Sequence, residues 1–137
     1  MATYNKFNVT MLDMATKKHD FENDTYKFML TNSAPAATDA VKSDITEISA
    51  GNGYTAGGSV IGTSATQVSG TLSVSPSGDV TITASGGAIG PFRHVVLYND
   101  TTAGKPLVSH YDYGSSITLN NGENFVIDVG STLFTAS

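Results

Sequence analysis

His94-Val95-Val96-Leu97-Tyr98-Asn99 leads through Asp100-Thr101-Thr102-Ala103-Gly104-Lys105 into Leu107-Val108-Ser109-His110-Tyr111-Asp112-Tyr113. Side chains alternate across a strand, so the first run puts Val95 and Leu97 on one face and Val96 and Tyr98 on the other. A segment apolar at both parities is expected to be a central strand covered on both sides. The polar, glycine-bearing segment after it reads as a turn, and residues 107–113 read as the strand that pairs back.

Working outward, Tyr26, Phe28 and Leu30 alternate with Lys27, Met29 and Thr31, the period-two signature of a half-buried strand. Residues 31–38, with Pro35, read as a loop, and residues 39–48 fit either one or two helical turns or an irregular strand. Residues 50–58 form a glycine-rich connector. Two strands follow, at 59–61 and at 67–74, the second with Leu72 and Val74 inward. The Ser75-Pro76-Ser77-Gly78 turn is expected to fold Val80, Ile82 and Ala84 back as a hairpin partner. Residues 85–91 read as a second glycine-rich crossing, and 117–119 and 125–129, joined at Asn120-Asn121-Gly122, as a last hairpin. Phe7, Met11, Met14 and Ala15 fall at i, i+4, i+7 and i+8, which predicts a helix over residues 4–18. Lys17, Lys18 and His19 in its last turn suit the negative end of the helix dipole.

Turn signals every eight to twelve residues or so favour an antiparallel sandwich or barrel-like sheet. The expected fold is therefore mainly β: a jelly-roll-like antiparallel β-sandwich of seven or eight short strands with one short N-terminal helix. It is read as one domain over residues 1–137, with the β region at about 25–135.

Composition narrows the function. Charged residues are 14% of the chain, against about 25% in ordinary soluble domains. Between Ile48 and Phe92 only Asp79 is charged, and the stretch is dominated by Gly, Ser, Thr, Ala and Val. A net charge of −5 with seven scattered basic residues argues against nucleic-acid binding, which needs clustered Lys and Arg. No apolar run approaches the length of a membrane span, so no membrane partner is expected. The absence of cysteine rules out disulfides and thiolate zinc sites. The first residues lack the apolar core of a secretory signal, so synthesis in a host cytoplasm is expected.

Candidate chemistry is thin. His110 and Asp112 share a strand face, and His94 sits on the expected neighbouring strand, a spacing that a two-histidine, one-carboxylate metal site would need. The plainer reading is outward polar positions, and no metal or other cofactor is assigned. Gly51, Gly53 and Gly57 have the wrong spacing for a phosphate loop, and Asn99 stands where the first glycine of a Walker loop before Lys105 would be. No serine lies in a nucleophile elbow. Asp112, Glu123 and Asp128 could in principle pair for sugar hydrolysis, but strand-edge charges sit in the same places. Tyr54, Tyr111 and Tyr113 could stack on a sugar, although the chain has no Trp. No catalytic residue is assigned, and a non-enzymatic protein is expected.

Met1-Ala2-Thr3-Tyr4-Asn5-Lys6-Phe7-Asn8, Leu30-Thr31-Asn32-Ser33-Ala34-Pro35 and Asp44-Ile45-Thr46-Glu47-Ile48 carry a resemblance, together with the connector from Gly51 to Gly58. So do Ala84-Ser85-Gly86-Gly87-Ala88-Ile89-Gly90-Pro91-Phe92-Arg93, Val96-Leu97-Tyr98-Asn99-Asp100 and Asp112-Tyr113-Gly114-Ser115-Ser116-Ile117-Thr118-Leu119. These stretches resemble a family of small virion structural proteins of tailed bacteriophages and prophages. The resemblance implies a capsid decoration or cement protein on the outer head surface, a homo-oligomer, expected as a trimer, with the major capsid protein as partner. The alternative is a tail or fibre adaptor, or a host-binding component with a carbohydrate-binding role, whose partners would be tail proteins. The residues expected to reach a neighbouring subunit are Phe7, Met11, Met14, Tyr54, Phe92, Tyr111 and Tyr113; the equal alternative for the stripe of Phe7, Met11 and Met14 is to cover the chain's own sheet, and the plainer reading of Tyr111 and Tyr113 is that they close the sheet edge.

Overall fold

The computed structural model describes residues 2–136. The elements run β1 (Thr3–Lys6), α1 (Thr10–Ala15), β2 (Tyr26–Thr31), β3 (Ser59–Ile61), β4 (Thr63–Val68), β5 (Thr71–Pro76), β6 (Val80–Thr83), β7 (Ile89–Asn99), β8 (Leu107–Leu119), β9 (Asn124–Ile127) and β10 (Phe134–Ala136). One turn of 3-10 helix at Lys42–Asp44 lies in the segment that the sequence left open. All strand pairs are antiparallel. They form a five-stranded sheet in the order β1-β8-β7-β2-β3, a three-stranded sheet β10-β5-β4 and the pair β6-β9.

The run at 94–99 is the middle of the large sheet, as its two apolar faces require. Phe28, Leu30, Val95 and Leu97 meet Val74, Ile82, Ile127 and Phe134 from the smaller sheets, which makes the arrangement sandwich-like. On the opposite face Met29, Val96, Tyr98 and Leu107 are covered by Phe7, with Val9 and Ile45 packed against them. Burying side chains of this size contributes about 1.5–3 kcal/mol each. The doubly covered β7 is thus the mechanical centre of the fold.

Three local expectations are corrected. Residues 4–18 are not one helix. Thr3 to Lys6 pair with β8, Tyr4 opposite Tyr111, and only Thr10–Ala15 is helical. The inward face of α1 is polar: Thr10 Oγ1 donates to the Val108 carbonyl at 2.6 Å and Asp13 is buried, while Met11 and Leu12 face outward. The Thr10 hydroxyl can face inward because this bond satisfies it; buried there without a partner it would be costly.

The second correction concerns the run at 67–74. Ser69 and Gly70 adopt φ of 51° and 81°, the paired positive values of a type I′ hairpin turn. They split the run, so β4 pairs with β5, and β6 pairs with β9. The third follows from it. The Asn120–Gly122 turn does not close a hairpin but carries the chain from β8, in the large sheet, to β9, in the small one.

Candidate functional site

The seven residues expected at an interface are mostly committed to the chain's own interior. Phe7, Tyr54, Phe92 and Tyr111 are buried, which corrects their assignment as outward contacts. Phe92 meets Phe125 edge-on with ring centroids 5.0 Å apart, and Tyr113, half-buried, meets the same ring at 5.1 Å. Met14 packs partly against the core. Met11, at 42% exposure, is the one of the seven that faces outward.

Tyr54 is a structural anchor. Its hydroxyl donates to Glu47 Oε2 at 2.6 Å and accepts from the Leu30 amide at 3.0 Å. Glu47 Oε2 also accepts from the Gly57 amide, and the Tyr98 hydroxyl donates to the Gly57 carbonyl. The glycine-rich connector is therefore clamped onto β2. At Gly58 the backbone comes so close that a Cβ would sit 1.8 Å from the Phe28 carbonyl oxygen. Close approach explains Gly53 and Gly58, while Gly51 has open space around it and answers to its φ of 128°.

The expected register of His94, His110 and Asp112 is present. His94 lies opposite Asp112, and His110 opposite Val96. Asp112 is captured by Arg93, whose Nε and Nη2 donate to its two oxygens at 2.7 and 3.0 Å. That fork, with the Gly114 amide at 2.8 Å, holds the Asp112 carboxyl well below the usual carboxylate range. His94 Nδ1 stays 3.9 Å away. Burial lowers the pKa of both histidines, so both are neutral near pH 7. Among the described residues no three His, Cys, Asp or Glu side chains are grouped as metal ligands. Arg93, given no role in the sequence reading, decides this site by claiming the carboxylate.

The other carboxylates act as turn caps. Glu123 Oε1 accepts from the Asn120 amide at 2.7 Å, and Asp128 Oδ1 from the Gly130 amide at 3.0 Å. Asn99 was also missed. Fully buried at the end of β7, its amide donates to Asp24 Oδ2 at 2.7 Å and to the Lys18 carbonyl at 3.1 Å, while its Oδ1 accepts from the Thr101 and Thr102 amides. It ties the segment before β2 to the β7–β8 turn.

Two features remain open to partners. A cleft of about 380 Å³ separates Tyr4 and Tyr111 from Asp128, Leu133 and Phe134. Burial pushes the Tyr4 phenol up to about 12, so at neutral pH it is a neutral hydrogen-bonding group. The second feature is a set of uncharged strand positions open to solvent, with Glu22 beside β4 and Asp128 just past the end of β9. Ser64, Thr66, Val68, Thr81, Thr83 and Val126 are exposed there, on β4, β6 and β9. No protein-family model, no curated protein and no solved structure matches this chain.

Proposed function

We propose that this protein is a non-enzymatic virion component, a decoration protein that binds the major capsid protein on the outer head surface and stabilises the shell. The observation that carries this reading is the exposed hydroxyl and methyl groups of β4 and β6, which lie in a stretch, residues 49–91, whose only charged residue is Asp79. Covering hydroxyls and methyls avoids the cost of desolvating an ion, the largest in burying polar groups. The resemblance of the quoted stretches to phage virion proteins supports the same reading, including its expected trimer. Contacts too weak singly to matter become large when many copies act on one shell. Purified particles should carry hundreds of copies on the head. A handful of copies, or labelling confined to the tail, would overturn the assignment in favour of a tail or fibre component.

The tyrosine-lined cleft favours a second reading, a host-binding component that takes a neutral sugar between Tyr4 and Asp128. A glycan array without a hit above background would dismiss it.

A further inference from the structure

The cleft between Tyr4 and Asp128 is built so that it discriminates by charge. β1 is an edge of the five-stranded sheet and β10 an edge of the three-stranded one. Residues of both strands, with the segment between β9 and β10, line the cleft. Tyr4 forms one wall, 39% exposed and tilted against the buried Tyr111 with ring centroids 5.7 Å apart. Thr132 and Thr135 contribute hydroxyls. A volume of about 380 Å³ lies at the small end of ligand sites, about 300–1,000 Å³. Among the described residues that line the cleft, Asp128 is the only charged one, and no Lys, Arg or His joins it. The turn after β9 orients this carboxylate. Its Oδ1 accepts from the Gly130 amide at 3.0 Å, whereas Oδ2 accepts no hydrogen bond from the described residues.

We propose that this cleft selects sugars carrying a free ammonium group over neutral ones and excludes acidic ones, with Asp128 as the selecting residue. The inference rests on the reading of the cleft as a sugar site and is independent of capsid binding. The apolar C–H face of a sugar ring stacks on Tyr4, whatever the sugar's charge. An ammonium substituent donates to Asp128 Oδ2, and a charge-assisted bond of this kind is about twice as strong as a neutral one. The same cation is attracted by the electron-rich face of the Tyr4 ring. A neutral sugar keeps the stacking and the hydroxyl contacts but gains nothing from the charge. A carboxylated or phosphorylated sugar brings a second anion beside Asp128, and no cation lining the cleft offsets the repulsion or the lost hydration.

The test is NMR titration of the full chain with glucosamine, glucose, glucuronic acid and N-acetyl-lysine amide, at about pH 7, where a sugar amine is mostly protonated. Glucosamine should bind about tenfold more tightly than glucose, with shifts at Tyr4 and Asp128, and glucuronic acid should not bind measurably. In Asp128→Asn, which keeps an acceptor for the Gly130 amide, the two uncharged-to-cationic affinities should converge. Tyr4→Ala should weaken both sugars alike. Equal binding of glucose and glucosamine to the wild-type chain, or a preference that survives in Asp128→Asn, overturns the selection by charge and leaves the sugar site standing. Absence of binding by every sugar overturns the sugar site as well. Tighter binding of the lysine amide than of glucosamine assigns the cleft to a protein partner and overturns the proposal.

Discussion

His94 and His110 lie side by side on the large sheet, ring centroids 6.2 Å apart, with Phe7 against His110. Asp112 and Arg93 face His94, and Asp39 adds a more distant negative charge at His110. His19, beside Tyr26, has Asp13, Asp24 and Lys18 around it. In all three, burial is the largest influence and lowers the pKa from its ordinary 6.5. The sign follows directly. In the window below 6.5 the unfolded chain binds protons that the folded chain refuses, so this stability is present above that window and is lost as pH falls through it. The urea midpoint at about pH 5.5 should lie below that at about pH 7.5, and the doubly substituted His94→Gln, His110→Gln protein should show a smaller drop. A midpoint unchanged across this range would contradict the neutral, buried state of the pair.

The β4–β5 hairpin depends on a turn that few side chains can make. Gly70 takes φ of 81°, and a Cβ there would meet nothing within 4 Å, so its requirement is conformational and not steric. Gly70→Ala should therefore cost about 1–2 kcal/mol in equilibrium unfolding, and Gly70→Asn less, because Asn tolerates the left-handed region. Equal losses for the two would show that crowding, not backbone conformation, sets the penalty. The same turn shows why elements were only partly legible. The central strand could be read because both parities of 94–99 are apolar, and β2 because its alternation is regular. Ser69-Gly70 lay inside a run whose Leu72 and Val74 alternate well, so the break was read one turn too late, at Ser75–Gly78. At the N-terminus, residues 3–6 alternate too briefly to compete with a stripe that spans residues 7–15, and their pairing is supplied by β8, about a hundred residues away. Shared faces were legible, so the His94, His110 and Asp112 neighbourhood was found. Arg93 was not, because its role rests on reaching diagonally across to Asp112. Exposure was least legible: parity says which residues share a face, but when both faces of a sheet are covered it cannot tell Tyr111 or Phe7 from a surface aromatic.

At the scale of the whole molecule, charge is unevenly distributed, and this sets a measurable property of the proposed capsid contact. Lys27 and Lys105 pair with Asp100, Arg93 with Asp112, and Lys42 with Glu47, so much of the basic charge is spent on the chain's own carboxylates. Asp100 is held below the usual carboxylate range chiefly by Lys105. The surface between Ile48 and Phe92 offers only Asp79 to a partner. Attraction between exposed charges fades as salt shortens the Debye length, from about 14 Å at 0.05 M to about 4 Å at 0.5 M. Contact through hydroxyls, methyls and backbone is screened far less, and apolar burial is not weakened by added salt. Retention on capsids in sedimentation assays should thus change by less than about threefold in affinity between these salt concentrations. If retention collapses as salt rises, the contact runs instead through acidic groups meeting a basic capsid surface, and the uncharged strand positions face elsewhere.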